Sequence, residues 1–376
     1  MAADRTDLSI SAPVAPLSGG IRTTIPRSVN FVPLTHSYTQ VSRLVKEQGL
    51  LGRSRWFYAL LGGGLLLALG GAIAGFVLLG ESWFQLLIAG ALGIIFTQFA
   101  FFAHEAAHRQ VLASGPSNDR LGRLLATAMV GMSYAWWMTK HTRHHANPNQ
   151  LGKDPDIARD TISFVEEDAV RARGPLALLT RWQAALFFPL LLLEGVNLHF
   201  TSIRALLTRG RVDGRWLEIG VIAARFGLYL TAVFWFLPLG MAFAFLSVQL
   251  AVFGLYMGAS FAPNHMGMPI IPEGTRLDFF SKQVRTSRNI KGGWWMTALM
   301  GGLNHQVEHH LFPSMARPQL ARARAIVREH CRELDVPYSE TSLPRAYVAV
   351  LRSLDRVGRA VPDPFVCPMV ARYRRA

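Results

Sequence analysis

Residues 83–108 read WFQLLIAGALGIIFTQFAFFAHEAAH, and this stretch decides the fold class. Segment 83–102 carries no charged side chain. A helix needs roughly 20 apolar residues to cross the hydrocarbon core of a bilayer, and this segment has that length. Two histidines, His104 and His108, follow one helical turn apart. The stretch therefore predicts a membrane helix that leads into a pair of candidate metal ligands.

Three further segments share this length and apolar character, at about 58–79, 217–237 and 241–262. Short turns at 80–82 and 238–240 join the four segments into two pairs and contain no Lys or Arg. The long connections on the other side carry nearly all of the formal charge of +15. By the positive-inside rule we expect a multi-pass, all-α integral membrane protein with two transmembrane helical hairpins, that is four spans, and a cytoplasmic helical cap. Both termini and the active site are then cytoplasmic.

Three short boxes contain eight of the twelve histidines. They are HEAAH at 104–108, HTRHH at 141–145 and NHQVEHHLFP at 304–313. Within each box the spacing brings the imidazoles to one side of a helix. A tetrahedral zinc needs only three or four protein ligands, whereas imidazole also suits iron, so the surplus indicates more than one metal ion. We interpret the boxes as a two-iron site that reacts with O2.

Other polar residues are candidates around the metals. His265 follows a predicted span as box one does, so it is either a ninth ligand or a loop histidine. Asn264 is a candidate to hold a metal-bound water. Asp154 and Asp156 either accept hydrogen bonds from the outer ring N–H groups of bound histidines or are turn residues that face water.

Segment 184–200 is also apolar, but counting it as a span would move the first two boxes to the opposite side of the membrane from the third. We therefore expect a half-buried or re-entrant helix there. The predicted domain limits are a flexible arm at 1–37, a membrane domain at 38–345 and a basic tail at 346–376. The polar first residues contain no apolar core of a signal peptide, so we expect no cleavable signal.

Two alternatives from other classes use the same residues. His104 to His108 also fits HExxH, in which Glu105 would act as the general base of a zinc peptidase, and His305 to His309 fits the inverted pattern HxxEH. An intramembrane zinc protease is therefore a separate hypothesis, although one catalytic zinc cannot use both motifs together with HTRHH. A haem-binding or metal-transporting membrane protein is the third.

The sequence reveals no electron-transfer centre. The two cysteines, Cys331 and Cys367, form no CxxC motif, so neither an iron–sulfur cluster nor a disulfide framework is indicated. Membrane retention and anionic lipid headgroups explain most of the basic charge, with acidic CoA phosphates or an acidic redox partner as the other explanation. We expect no nucleic-acid partner.

The ordered set of boxes resembles that of the integral membrane fatty acid desaturases, and within them the acyl-CoA and front-end subgroup. HEAAH is similar to the family's HxxxH, HTRHH to its HxxHH, and the third box to QxxHHLFP. Spacing and order agree from about residue 40 to residue 345. Many front-end members carry a fused cytochrome b5 domain with an HPGG motif, which this sequence lacks.

The resemblance implies that histidines from all three boxes, with His265, ligate two iron ions. The implied ligands are His104, His108, His141, His144, His145, His265, His305, His309 and His310. Either His305 or Gln306 stands at the variable first position of the third box. The residues expected around these ligands are Asn264, Asp154, Asp156, Glu105 and Gln306.

The resemblance also implies a reaction of lipid metabolism. With O2 and two irons, the enzyme would remove two vicinal hydrogens from a fatty acyl chain, carried by CoA or a lipid, and leave a cis double bond. Electrons would come from NAD(P)H through a separate ferredoxin, flavoprotein reductase or cytochrome. A hydroxylase or ketolase on the same site is the near alternative. The acyl tail is expected in an apolar tunnel, with Trp136, Trp137 and Trp294 as lining or as interfacial residues.

Overall fold

The computed structural model describes residues 36–208 and 210–361, so most of the predicted arm and the end of the predicted tail lie outside it. The described chain is mostly helical. Numbered in chain order, its α-helices are α1 Ser37–Glu47, α2 Arg55–Leu79, α3 Gln85–Ala107, α4 Gly115–Arg123, α5 Tyr134–Ala146, α6 Glu166–Arg171, α7 Gly174–Arg181, α8 Gln183–Leu207, α9 Arg215–Phe236, α10 Leu239–His265, α11 Phe279–Thr286, α12 Trp294–Leu299, α13 Gln306–Leu311, α14 Arg317–Glu333 and α15 Leu343–Arg359.

The remaining elements are short. A π-helix, Leu124–Val130, continues α4, and 3₁₀ turns cover Pro155–Ile157 and Leu303–His305. Two strands, β1 Arg288–Ile290 and β2 Ser339–Thr341, pair in parallel. This sheet departs from the all-α prediction, and strands of three residues are too short to show the alternation by which a strand is recognised.

Five described helices have the length and apolar composition to cross a membrane: α2, α3, α8, α9 and α10. Four of them correspond to the predicted spans. The ends differ most at the histidines, because α3 continues beyond residue 102 to Ala107, and α10 runs through Pro263 to His265. His104 and His265 therefore lie on the last turns of long helices instead of in the loops that follow them.

Two hairpins, α2 with α3 and α9 with α10, are aligned in the same direction. Near their turns the Phe76 ring meets Phe236 and Phe245, with centroids 5.8 and 5.3 Å apart. At the opposite end, His104 and His265 close α3 and α10. We call this end of the hairpins the box side.

Helix α8 is longer than the predicted helix at 184–200 and packs tightly across α10. A Cβ atom on Gly254 would overlap the backbone nitrogen of Gly195, so glycine at both positions lets the two backbones touch. Both parts of α8 that make polar contacts meet box-side segments. Gln183 Nε2 donates to the carbonyls of Ser163 and Leu354, and Ser202 Oγ accepts a hydrogen bond from Ser133 N, directly before α5.

The other helices cover the box side. Helix α13, which bears the third box, packs through Val307 and Leu311 into an apolar core. Helices α1, α11 and α14 supply the rest of this core with Val41, Val45, Phe280, Val284, Leu320 and Val327. The box histidines are thus held between the hairpin ends and a packed helical layer.

Helix α15 belongs to this packed structure. Its Val350 and Leu354 are buried against Phe187 and Leu191 of α8. The domain limit that the sequence predicts between residues 345 and 346 falls inside α15, because the basic surface of this helix hides an apolar face. The described part of the predicted tail therefore continues the membrane domain.

A substitution in the α8–α10 contact tests this packing. We expect Gly254→Val to destabilise the protein by about 1–3 kcal/mol, because the added side chain forces α8 away from α10. Gly64→Val is the matched control, since nothing lies within 4 Å of a Cβ atom at that helical position. Thermal unfolding of both purified variants measures the difference, and equal melting temperatures would contradict the contact.

Candidate metal centre

Each histidine box is positioned by a rigid local structure. His104 lies within α3 and His108 is its C-cap, and their ring centroids are 4.8 Å apart. Box two occupies the last turns of α5, whose N-terminus is capped by the Ser133 side chain. Box three follows Gly301, which has a positive φ of 57° and a site where a Cβ atom would overlap Phe101 of α3. Only glycine allows this close approach of box three to α3.

Five histidines, from all three boxes, form one group. They are His104, His108, His141, His145 and His309. One ring nitrogen of each lies within 4.8 Å of the corresponding nitrogens of the others, and the Nε2 atoms of His108 and His141 are 2.7 Å apart. The helices thus point five imidazoles at one small volume.

A second group of three histidines adjoins the first. It consists of His144, His265 and His310, again with one nitrogen each within 4.8 Å. The rings of His145 and His310 stack with centroids 4.2 Å apart, which places the two groups side by side. Eight of the nine histidines that the sequence proposes as ligands therefore come together, in two neighbouring sets.

The nitrogens in these groups fit a bound transition metal. Buried ring nitrogens of His104, His145, His309 and His310 have no hydrogen-bond partner within the described chain. Burial lowers the pKa of His108 to about 3, and it holds the pKa values of His141, His145, His309 and His310 well below the ordinary value, with the neighbouring histidines adding to the effect. Neutral, unpartnered imidazoles are costly in a protein interior unless a metal accepts their lone pairs.

Three hydrogen bonds orient the second group. His144 Nδ1 lies 3.1 Å from both carboxylate oxygens of Asp154. His265 Nδ1 donates to the carbonyl of Thr286 at 2.9 Å, and His310 Nδ1 donates to Gln283 Oε1 at 2.8 Å. Each bond fixes the tautomer and leaves Nε2 for a metal.

Acidic residues around His144 act differently from each other. Asp154 is buried, whereas Asp156 is exposed and shares its carboxylate between His144 Nδ1 at 3.3 Å and Lys140 Nζ at 2.9 Å. Burial lowers the pKa of His144, but the two carboxylates outweigh it and raise the pKa above its ordinary value. The sequence motifs point to both aspartates but give no sign of Gln283, which lies in a polar segment without a pattern.

His305 is the exception among the proposed ligands. It belongs to neither group, and its Nε2 is 3.5 Å from Thr297 Oγ1. Gln306 instead faces the second group, with Nε2 2.8 Å from His265 Nε2 and Oε1 3.3 Å from Asn264 Nδ2. The 3₁₀ turn before α13 rotates His305 away, which corrects its assignment as a ligand and favours Gln306 at the first position of the third box.

Both carboxylates of the peptidase patterns are engaged elsewhere. Glu105 forms a two-point ion pair with Arg317, at 2.7 and 2.6 Å. Glu308 accepts hydrogen bonds from Asn289 Nδ2 at 2.7 Å and Tyr338 Oη at 2.8 Å, and burial raises its pKa to about 7. Neither carboxylate is placed as a general base beside a metal, so the geometry speaks against the zinc protease.

The Glu105–Arg317 pair is a structural link that the sequence does not reveal. Arg317 N also donates to Tyr58 Oη, which donates to Gln110 Oε1, and Gln110 Nε2 donates to the carbonyl of Pro313. This buried network joins box one to the segment after box three. It holds two boxes, separated by about 200 residues of sequence, in a fixed relation.

An apolar cavity of about 290 Å³ opens onto the histidines. His141, His144 and His265 lie on its wall, together with Trp136 and Trp137. Its apolar lining includes Phe187, Leu191, Met257 and Phe261. Trp294 does not reach it and is 84% exposed, so only two of the three tryptophans proposed as tunnel lining contact the cavity.

A comparison of sequences identifies the family. The model of the fatty acid desaturases matches residues 81–342, a range that includes the three boxes and His265. The chain belongs to the fatty acid desaturase family. Membership in this family, together with the long apolar helices, identifies an integral membrane protein.

Several relatives of this desaturase family member have desaturase names. The chain is 30% identical over 312 residues to a Delta(8)-fatty-acid desaturase of Helianthus annuus, covering 77% of the chain and 66% of the relative. It is 28% identical over 287 residues to an acyl-lipid (9-3)-desaturase of Physcomitrium patens, covering 72% and 53%. A Delta(6)-fatty-acid desaturase of Caenorhabditis elegans is 25% identical over 288 residues, covering 72% and 64%. The chain spans less than two thirds of the length of these relatives.

Metal content tests the grouping of the histidines. We expect His309→Ala to lose at least half of the metal bound per chain, because it removes a nitrogen from the centre of the five-histidine group. His305→Ala, the matched control four residues earlier, should keep its metal. Elemental analysis of the purified variants provides the measurement, and metal loss in His305→Ala would contradict the grouping.

Stability measurements test the buried ion pair. Removing one partner, in Glu105→Leu or Arg317→Met, leaves a buried charge unpaired and should cost about 3–5 kcal/mol. The double variant removes both charges and is expected to be more stable than either single variant. Thermal unfolding of the three variants measures this coupling, and additive losses would disprove it.

Proposed function

We propose that this protein is a fatty acyl desaturase that uses O2 to introduce a cis double bond into an acyl chain. The observation that carries the proposal is the pair of adjacent histidine groups at the wall of an apolar cavity. The names of the relatives, which act at Delta(8), Delta(6) and (9-3) positions, support the same reaction type.

The proposed cofactor is a pair of iron ions. The five-histidine group would hold one ion and the three-histidine group the other, with Gln306 and Asn264 beside the second. Fewer imidazoles around the second ion leave room for a water or O2 there. Bound iron would supply the activation of O2, since no side chain is a strong enough oxidant to remove hydrogen from an unactivated methylene.

The protein itself would position and shield the substrate. A cavity lined by Phe187, Leu191 and Phe261 excludes water and holds an acyl chain by apolar contact. Trp137 stacks on His141, with ring centroids 4.2 Å apart, so the aromatic wall runs directly up to the ligands. A methylene that lies against this wall is held next to the metal nitrogens.

Electrons are proposed to come from outside the desaturase domain. Reduction of O2 to water takes more electrons than the two hydrogens of the substrate supply, so NAD(P)H would act through a separate ferredoxin, flavoprotein reductase or cytochrome. The cysteine nearest to the site among the described residues, Cys331, is a buried free thiol whose pKa burial raises to about 12. It offers no redox centre.

We also propose that four helices, α2, α3, α9 and α10, span the membrane and that the box side faces the cytoplasm. The contacts of Gln183 and Ser202 support this topology, because they tie both parts of α8 to box-side segments. Helix α8 would then lie against α10 without crossing. The basic charge of the long connections supports the cytoplasmic orientation.

Expression in a host that lacks the activity tests the proposal. With a working reductase, we expect new unsaturated fatty acids that have lost two hydrogens, with the double bond located by mass spectrometry. His145→Ala should abolish the product, because His145 lies where the two histidine groups meet. His36→Ala, on an exposed histidine far from the boxes, should retain it. A product that has gained one oxygen would replace desaturation by hydroxylation.

A further inference from the structure

A second, larger cavity of about 990 Å³ lies beside the apolar one. It is bounded by α4, α5, α8 and the residues before α9. The two cavities share a wall, which we call the neck and which consists of Trp136, Lys140, Glu194 and Leu198. The site at the metals therefore has a polar chamber next to it, on the box side.

This second cavity is lined by many cations, and we call it the basic vestibule. Its cationic side chains are Arg109, Arg120, Arg123, Lys140, Arg143, Arg159 and Arg211. The acidic side chains on its wall are Asp119, Asp160, Glu194 and Asp213. The excess of positive charge faces inward from several elements, so its field is concentrated in one concave volume.

Four of these arginines are available to a ligand. Arg123 is bound by Asp213 and Glu218, and Lys140 by Asp156. By contrast, Arg109, Arg120, Arg143 and Arg211 form no ion pair within residues 36–208 and 210–361. Guanidinium groups that converge without carboxylates repel one another, and an anion bound between them would remove this repulsion.

We propose that the basic vestibule binds the phosphate of the acyl carrier while the acyl chain passes through the neck to the metal centre. The inference rests on the proposed function and extends it to the class of substrate. The sizes agree, because a chamber of about 990 Å³ accommodates a polar headgroup and the adjoining 290 Å³ suits a single chain. Phosphate is also the anion that arginine binds best, through two parallel hydrogen bonds.

The neck has the chemistry that such a passage requires. Trp136 and Leu198 present apolar surface to a chain, whereas Lys140 and Glu194 present polar groups at the level where an ester would lie. Lys140 is held by Asp156, which also contacts His144. The carrier and the metal centre are thus connected through a continuous series of side chains.

Surface arginines beside a membrane usually face anionic headgroups in water, which is the alternative explanation of these residues. That explanation predicts no preference for arginines inside a cavity over arginines elsewhere. The basic vestibule differs because its cations share a wall with the metal-lined cavity. Binding measurements on the full chain distinguish the two explanations.

The experiment compares three probes with the same acyl chain: an acyl-CoA, a phosphatidate and an uncharged monoacylglycerol. We expect purified, metal-loaded protein in detergent to bind at least one phosphate-bearing probe about tenfold or more tightly than the monoacylglycerol. Added salt should weaken the tighter binding. Preference for the CoA probe or for the phosphatidate identifies the source of the phosphate, and either result supports the site.

The variant Arg120→Gln/Arg211→Gln tests the residues. It should weaken the phosphate-bearing probe about tenfold or more and leave the monoacylglycerol unchanged, because each lost guanidinium removes a charge-assisted hydrogen bond. The matched control is Arg328→Gln/Arg352→Gln, which removes two exposed cations outside the cavity. Equal binding of all probes, or an equal loss in the control, would overturn the proposal.

These measurements do not depend on turnover, so they separate this inference from the proposed function. A chain that binds phosphate in the basic vestibule but forms no unsaturated product would refute desaturation alone. A chain that desaturates but shows no effect of the two arginines would refute the vestibule alone.

Discussion

The convergence of eight neutral imidazoles in a dry interior is the constraint on which the rest of the structure depends. Unpartnered nitrogens of His104, His145, His309 and His310 raise the free energy of the folded chain until a metal accepts their lone pairs. The surrounding structure must therefore hold the rings together against their tendency to separate. Long helices that end at His104 and His265 provide the rigid base.

The cap supplies the opposing surface, and its polar contacts explain why it is built from many short elements. Gln283 and the Thr286 carbonyl reach His310 and His265 from α11, while Asp154 reaches His144 from the loop after α5. Each contact comes from a different segment because the rings point in different directions. The Glu105–Arg317 pair then holds the third box and the following segment against α3.

The environment of the metal centre is divided in the same way as an acyl ester. One side is an apolar cavity that contacts the ligands, and the other is a basic chamber. The division follows from the position of α8, which presents Leu191 and Leu198 to the first and Glu194 and Asn197 to the second. A helix that crossed the bilayer at this place would find no use for such a polar stripe.

The sequence by itself determined the class of fold, the family and eight of the histidines, because apolar length and box spacing are local properties of the chain. It did not determine that His305 turns away and Gln306 turns in, since a single 3₁₀ turn decides that rotation. The division of the ligands into five and three, the Glu105–Arg317 link and the second cavity were decided only by the tertiary structure. The physical reason is that each depends on side chains distant in sequence, whose approach is set by helix packing and not by any local pattern.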